Sequence, residues 1–385
     1  MGSITSRLFV VLLFCAAPVR FGTFGLNQSN ATGPTPFVSG TSPVSARDLG
    51  SHAAKYSNDN GYFERWMLML HRDDGGWMQL GFVVTNLGPG SGNAVVDLIR
   101  VAPSLSGKTE TTTYRWPVRV KADDWHASKH GVDIRTTLGT LKRTERGYTA
   151  TVRIWGYDLD ITVRSTGPNY KPGSGTVAFP GGGRFDVQLA PVAARFTARE
   201  RTHGGAWQTF KGTAWLEHGA TNVSPERLSN HFLRFHGRAG TLAVAFMELE
   251  TGPAFEFASM GWLVVADGKK IVASVLNPKV EVLKSRSDRV QKDGPKRSGH
   301  RIPTTYRVSG VAEGSGKPIE LRVVVGKSLY RDDVLEALPR WLRAIVRTIV
   351  QPLNFTHAAK FQVKGAGSRK QGSGTSLYSP MRTRR

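Results

Sequence analysis

Cysteine is almost absent: the 385-residue chain has one, Cys15. No disulfide can form within the chain, so stability has to come from packing. Acidic residues are scarce as well, 29 Asp and Glu against 52 Lys and Arg. A net charge of +23 cannot choose a fold, but it draws anions: phospholipid headgroups, glycolipids or nucleic acid. The bland reading of that charge is solubility through one sign. Long hydrophobic runs are missing apart from residues 8–17 (LFVVLLFCAA), which are too few to cross a bilayer comfortably. Hydrolase signatures are missing too, with no Gly-x-Ser-x-Gly elbow and no His-Glu-x-x-His zinc motif.

What is present begins with that short run. Arg7 precedes it, and Cys15, Ala16 and Ala17 close it. A basic start, a short apolar core and small residues make a secretory signal, so residues 1–17 are expected to direct export to a periplasm or to the outside. The alternative is an uncleaved interfacial anchor. Residues 18–50 are rich in Ser, Thr, Pro, Gly and Asn, which reads as a disordered linker.

From Trp66 onward the residues alternate with period two. Tyr148, Ala150, Val152 and Ile154 oppose Thr149, Thr151 and Arg153. After Gly156-Tyr157-Asp158 the pattern resumes at Leu159, Ile161 and Val163. Such pairs of runs read as antiparallel hairpins. Residues 262–265 and 271–276, joined at Asp267-Gly268, form a second, and residues 78–85 with 94–101 a third. Many short strands without β-α alternation mean an all-β chain of barrels or sandwiches, and the length suits two domains. One helix is expected over residues 332–350. Leu335, Leu338, Trp341, Leu342, Ile345, Val346 and Ile349 form its apolar stripe, opposite Arg340, Arg343 and Arg347. It would plug a barrel or lie on a membrane through Leu338, Trp341, Leu342 and Ile345.

Three segments carry a resemblance. They are residues 212–237 (GTAWLEHGATNVSPERLSNHFLRFHG), residues 245–257 (AFMELETGPAFEF) and residues 338–365, with WMQLGFVVTN (77–86) as a weaker fourth. In order and spacing the chain resembles the survival-factor family, related to the AttH and carotenoid-hydratase lipocalin-like group. Ser224-Pro225-Glu226-Arg227 stands where that family commonly has Lys-Pro-His-His. The resemblance implies two lipocalin-like antiparallel β-barrels in tandem, assigned here to 51–190 and 191–375, with a basic tail at 376–385. It also implies lipid handling, sphingolipids among the ligands, and survival of oxidative stress.

For a lipid carrier the expected partner is a hydrophobic small molecule or lipid, with an anionic membrane surface for docking and no cofactor. Gln79 and Asn230 would be polar anchors beside Phe232, Phe235, Phe246, Met247, Glu248, Phe255, Phe257 and Trp262. The competing reading is that these side chains simply fill closed barrels. The rival function is a hydratase, cyclase or isomerase acting on an isoprenoid or polyketide in the second barrel. It would rest on Glu217 and His218, a carboxylate with raised pKa delivering a proton. Against it stands a strand-end Glu217 facing solvent. A third reading is a stress protein with solid barrels. No metal is assigned: His126 and His130, beside Asp123 and Asp124, read as a solvated turn, and His231 and His236 point to opposite faces. Nucleic acid is disfavoured, because the basic residues are not interleaved with aromatics.

Overall fold

The computed structural model describes residues 33–38, 43–53, 59, 61–86, 93–102, 113–288, 300–337, 340–347, 350–365 and 368–381. The expected export signal and the terminal Arg382, Arg384 and Arg385 lie outside them.

Alternating side chains build two antiparallel sheets. The first opens with β1 (Phe63–Arg72), β2 (Trp77–Thr85), β3 (Asn93–Val101) and β4 (Thr113–Val120). Five strands follow: β5 (His126–Ala127), β6 (Asp133–Thr136), β7 (Gly139–Thr144), β8 (Gly147–Ile154) and β9 (Tyr157–Ser165). It closes with β10 (Thr176–Phe179), β11 (Gly183–Leu189), β12 (Ala194–Thr202) and the long β13 (Gln208–Thr221). Helix α1 (Pro225–Leu228) leads to the second sheet. There β14 (His231–Ala239), β15 (Leu242–Glu250), β16 (Ser259–Asp267) and β17 (Lys270–Leu276) form one half. The other half is β18 (Lys279–Ser287), β19 (Arg301–Val311), β20 (Pro318–Asp333), β21 (Leu353–Gly365) and β22 (Ser368–Pro380).

The first sheet runs β4-β3-β2-β1-β13-β12-β9-β8-β7-β6-β5, with β11 also on β13; the second runs β17-β16-β15-β14-β22-β21-β20-β19-β18. Each curls into a lipocalin-like half-barrel, so the fold is the expected tandem of all-β barrels. The expected boundary at 190 falls between β11 and β12, which both belong to the first sheet. Residues 376–380, expected in a basic tail, belong to β22, which sits between β14 and β21 near the middle of the second sheet.

The pleat builds three large cores among the described residues. Trp66, Leu68, Leu70, Leu80 and Leu216 pack inside the first curl. Phe235, Phe246, Tyr306, Leu321 and Phe361 pack inside the second. Met67, Met69, Trp215, Met247 and Trp262 pack between the two sheets. Strands β1 and β13 therefore bury both faces, one in each core, which is why residues 66–70 (WMLML) read as a continuous apolar run rather than an alternation.

Two further expectations are corrected. Part of the linker is packed structure: Phe37 and Leu49 are buried, and Trp66 Nε1 donates to the Leu49 carbonyl at 2.8 Å. The helix is shorter than its stripe. β20 runs on to Asp333, a 3-10 turn covers Val334–Ala337, and α2 spans only Arg340–Val346. Pairing of Asp332 and Asp333 with β21 consumes the backbone groups that the first turn of a longer helix would have used. Trp341 is 67% exposed and plugs nothing. Leu338 lies outside the described residues, as do the side chains of Leu342 and Ile345.

Candidate functional site

The long strand β13 sets the site by its alternation. Leu216 faces the first barrel's interior, while Trp215, Glu217 and Gly219 face the second sheet. Glu217 and His218 are neighbours in sequence, so their side chains leave on opposite faces and do not act as a pair. His218 is buried under the lead-in segment. Its Nδ1 donates to the Asp48 carbonyl at 2.8 Å, its Nε2 lies 2.9 Å from Glu64, and its ring stacks on Trp66.

Glu217 instead borders a cavity of about 240 Å³ between the two sheets. Its floor is the outer face of β3, β2, β1 and β13, and its roof comes from β14, β20, β21 and β22. Met67, Val83, Ile99, Phe185, Phe232 and Leu377 give it apolar walls. Polar groups converge at two ends. At one, Arg65 on β1 and Arg234 on β14 approach the same oxygen of Glu217, at 3.1 and 3.2 Å. The other oxygen, Oε2, is buried and has no hydrogen-bond partner among the described residues. Burial pushes the Glu217 carboxyl above its ordinary range, against the pull of Arg65 and His218. At the other end Arg115 lies 3.4 Å from Asp97 and also pairs with Asp332. Burial raises the Asp97 carboxyl as well, Arg115 opposing and Asp332 adding to the rise.

Register measures the distance between these ends. Asp97 stands opposite Gly81, Gly81 opposite Met67, and Met67 opposite Glu217. Three steps of about 4.8 Å separate the two carboxylates' backbones by roughly 14 Å. The two carboxyls therefore stand at opposite ends of the cavity, too far apart to act on one bond. Gly81 keeps the floor between them low, and Gly219 does so beside Glu217; both line the cavity.

The structure distributes the expected ligand residues widely. Gln79 and Phe232 are on the cavity wall. Phe235 and Phe246 point the other way and fill the second barrel's own core. Met247, Phe255 and Trp262 pack in the layer between the sheets without lining the cavity. Asn230 donates to Glu250 at 2.5 Å, and Glu248 lies 3.6 Å from His231. Phe257 sits in a turn at φ 56°. Glu217 does not face solvent; it is 1% exposed. Arg65, Asp97, Arg115 and Arg234 escaped sequence reasoning. Asp97 and Arg234 carried a legible signal, a charge among mostly apolar strand neighbours where it needs a partner or a cavity; Arg65 and Arg115, in strands with other charged residues, did not. Among the described residues no group of three or more His, Cys, Asp or Glu is placed to hold a metal ion.

Comparison with known proteins agrees on the fold. A putative AttH from Nitrosomonas europaea matches with a TM-score of 0.60 at 14% identity, over 90% of this chain and 99% of that one. CghA in complex with Sch210972 matches with a TM-score of 0.59 at 14% identity, over 92% and 97%. Kievitone hydratase from Nectria haematococca matches with a TM-score of 0.53 at 10% identity, over 90% and 97%. No family model matches the chain, and no curated protein does. The likeness therefore reaches the AttH and hydratase side of the expected resemblance, while the survival-factor assignment has no family match behind it.

Proposed function

We propose that the chain binds an elongated hydrophobic small molecule in the cavity between its barrels and acts on it as a hydratase, cyclase or isomerase. The substrate class is an isoprenoid or polyketide, and Glu217 is the proton donor. One observation carries this reading: a buried carboxyl whose second oxygen is unpartnered and which borders a mostly apolar cavity. Burial raises the pKa of this carboxyl, the direction a general acid requires. Donation from Oε2 to a substrate alkene or carbonyl leaves the carboxylate, which Arg65 and Arg234 stabilise through Oε1. The proton returns from the product or from water. Gln79 on the same wall offers an amide for a substrate oxygen.

Two of the similar structures support a small-molecule partner, one holding Sch210972 and one called a kievitone hydratase. The reading of a lipid held inside the second barrel loses its footing, because Phe235 and Phe246 are fully packed there. The test incubates the purified chain with kievitone, Sch210972 and a panel of isoprenoids, measuring binding by native mass spectrometry and conversion by chromatography. Glu217→Gln is expected to bind as the wild type does while turnover falls roughly 10²–10⁴-fold. Unchanged turnover in that variant would remove Glu217 from the chemistry. Binding without conversion in the wild type would leave a carrier.

A further inference from the structure

The outer face of β18 to β22 lines the cavity at one end, through Thr356 and Leu377, and at the other end it is a basic surface that the cavity does not use. On these strands Tyr306, Val308, Leu321, Val323 and Phe361 point inward, so the alternate residues point to solvent. Strand register arranges the outward residues in three rows. The first carries Lys279, Glu320, Lys364 and Arg369; the second Glu281, Arg307 and Arg322; the third Lys284, Val324 and Lys360. Both carboxylates are already engaged, Glu281 by Arg307 at 2.5 Å and Glu320 by Arg307 at 3.8 Å and Lys364 at 3.5 Å. Lys279, Lys284, Arg322, Lys360 and Arg369 are exposed and make no ion pair among the described residues. Between them Val324 is 47% exposed, and Val311 at the end of β19 is 61% exposed.

Protection of a sheet edge accounts for only part of this. β18 is an edge strand, and lysines on an edge discourage pairing with other chains. Arg322 and Lys360 lie on β20 and β21, inside the sheet, where there is no edge to guard. The free cations form a two-dimensional grid, roughly 19 Å across the strands and roughly 14 Å along them. A grid with protruding valines suits a plane of anionic headgroups over an apolar layer. A nucleic acid presents a line of phosphates and gives the valines nothing.

We propose that this face docks the protein on a membrane surface containing anionic phospholipids. The inference stands apart from the reading of the cavity. It is tested by flotation of the full chain with phosphatidylcholine vesicles, with and without phosphatidylserine, at physiological salt. The wild type is expected to float only with the anionic vesicles. Reversing two charges, Arg322→Glu with Lys360→Glu, is expected to weaken binding roughly 25-fold or more, at about fivefold per charge removed. Arg143→Glu with Arg146→Glu, exposed on the first sheet, changes net charge equally and is expected to bind as the wild type does. If the first variant unfolds, Arg322→Gln and Lys360→Gln singly are expected to cost about fivefold each. Absence of binding to anionic vesicles, or equal loss in both double variants, overturns the proposal. So does tighter binding of a short duplex DNA through Arg322 and Lys360.

Discussion

Arg234 and Glu217 belong to different sheets, yet their side chains stand 3.2 Å apart inside the cavity, with Arg65 on the same oxygen. The site is thus also a fastening between barrels. Removing the carboxylate leaves two guanidiniums facing each other in a mostly apolar space. Glu217→Ala is expected to destabilise the fold by about 3–5 kcal/mol. Urea unfolding of that variant checks it, and a midpoint equal to the wild type's would show that the barrels hold together without this contact.

Gly81 lies on the cavity floor between Asp97 and Met67. A Cβ built there meets nothing nearer than 3.7 Å, so a larger side chain can rise into the cavity without displacing backbone. Gly81→Leu is therefore expected to block ligand binding at least about tenfold while leaving the strand as stable or more so, since glycine is a weak strand residue. Titration with the apolar fluorophore 1-anilinonaphthalene-8-sulfonate, beside a melting curve, reads both. Retained binding with an intact fold would place the ligand elsewhere.

The barrels were legible because their hairpins expose one face and bury the other, as at Tyr148, Ala150 and Val152 against Thr149, Thr151 and Arg153. The cavity was not legible as a place. A sequence states that Phe232 and Phe235 are aromatic, but only the packing of the second sheet against β1 and β13 sends Phe232 to a cavity and Phe235 to a core. The helix at 332–350 failed for a related reason. Its 3.6-residue stripe was real, but β21 offered Asp332 and Asp333 a strand partner, and tertiary pairing overrode local periodicity. The linker misled through composition, because a polar segment can still bury single apolar residues such as Phe37 and Leu49 and be tied down by hydrogen bonds.

That tie depends on Glu64. Its carboxylate accepts from Tyr62 at 2.5 Å, from Ser51 at 2.9 Å and from the His52 amide at 3.0 Å, with His218 at 2.9 Å. Burial raises its pKa, but the His218 and Tyr62 contacts outweigh burial and hold it below the ordinary range. A depressed carboxylate contributes stability that is present above about 4.5, its unfolded value, and is lost as pH falls through the folded value. Glu64→Gln is expected to flatten the acid limb of the stability curve, at a cost of about 3–5 kcal/mol at neutral pH. It should also open residues 43–53 to limited proteolysis. Cleavage there at the wild-type rate would mean that the segment is held by Leu49 and Trp66 alone.

His231 works in the opposite direction. It sits between Glu248 and Glu250, 3.6 Å from each, with the Tyr378 ring 5.6 Å away. Burial favours the neutral ring, but the two carboxylates reverse that and lift the pKa to about 9. A raised histidine contributes stability that is fully present below about 6.5, its unfolded value, and disappears as pH rises through about 9. The contribution at the acid end is on the order of 3 kcal/mol. Between those limits the wild type is expected to lose its advantage over His231→Gln, so that the two melting temperatures converge in alkali. Melting curves of both proteins from about pH 6 to about pH 10 follow the convergence. A constant gap across that range would mean that His231 stabilises β14 by packing, with its charge playing no part.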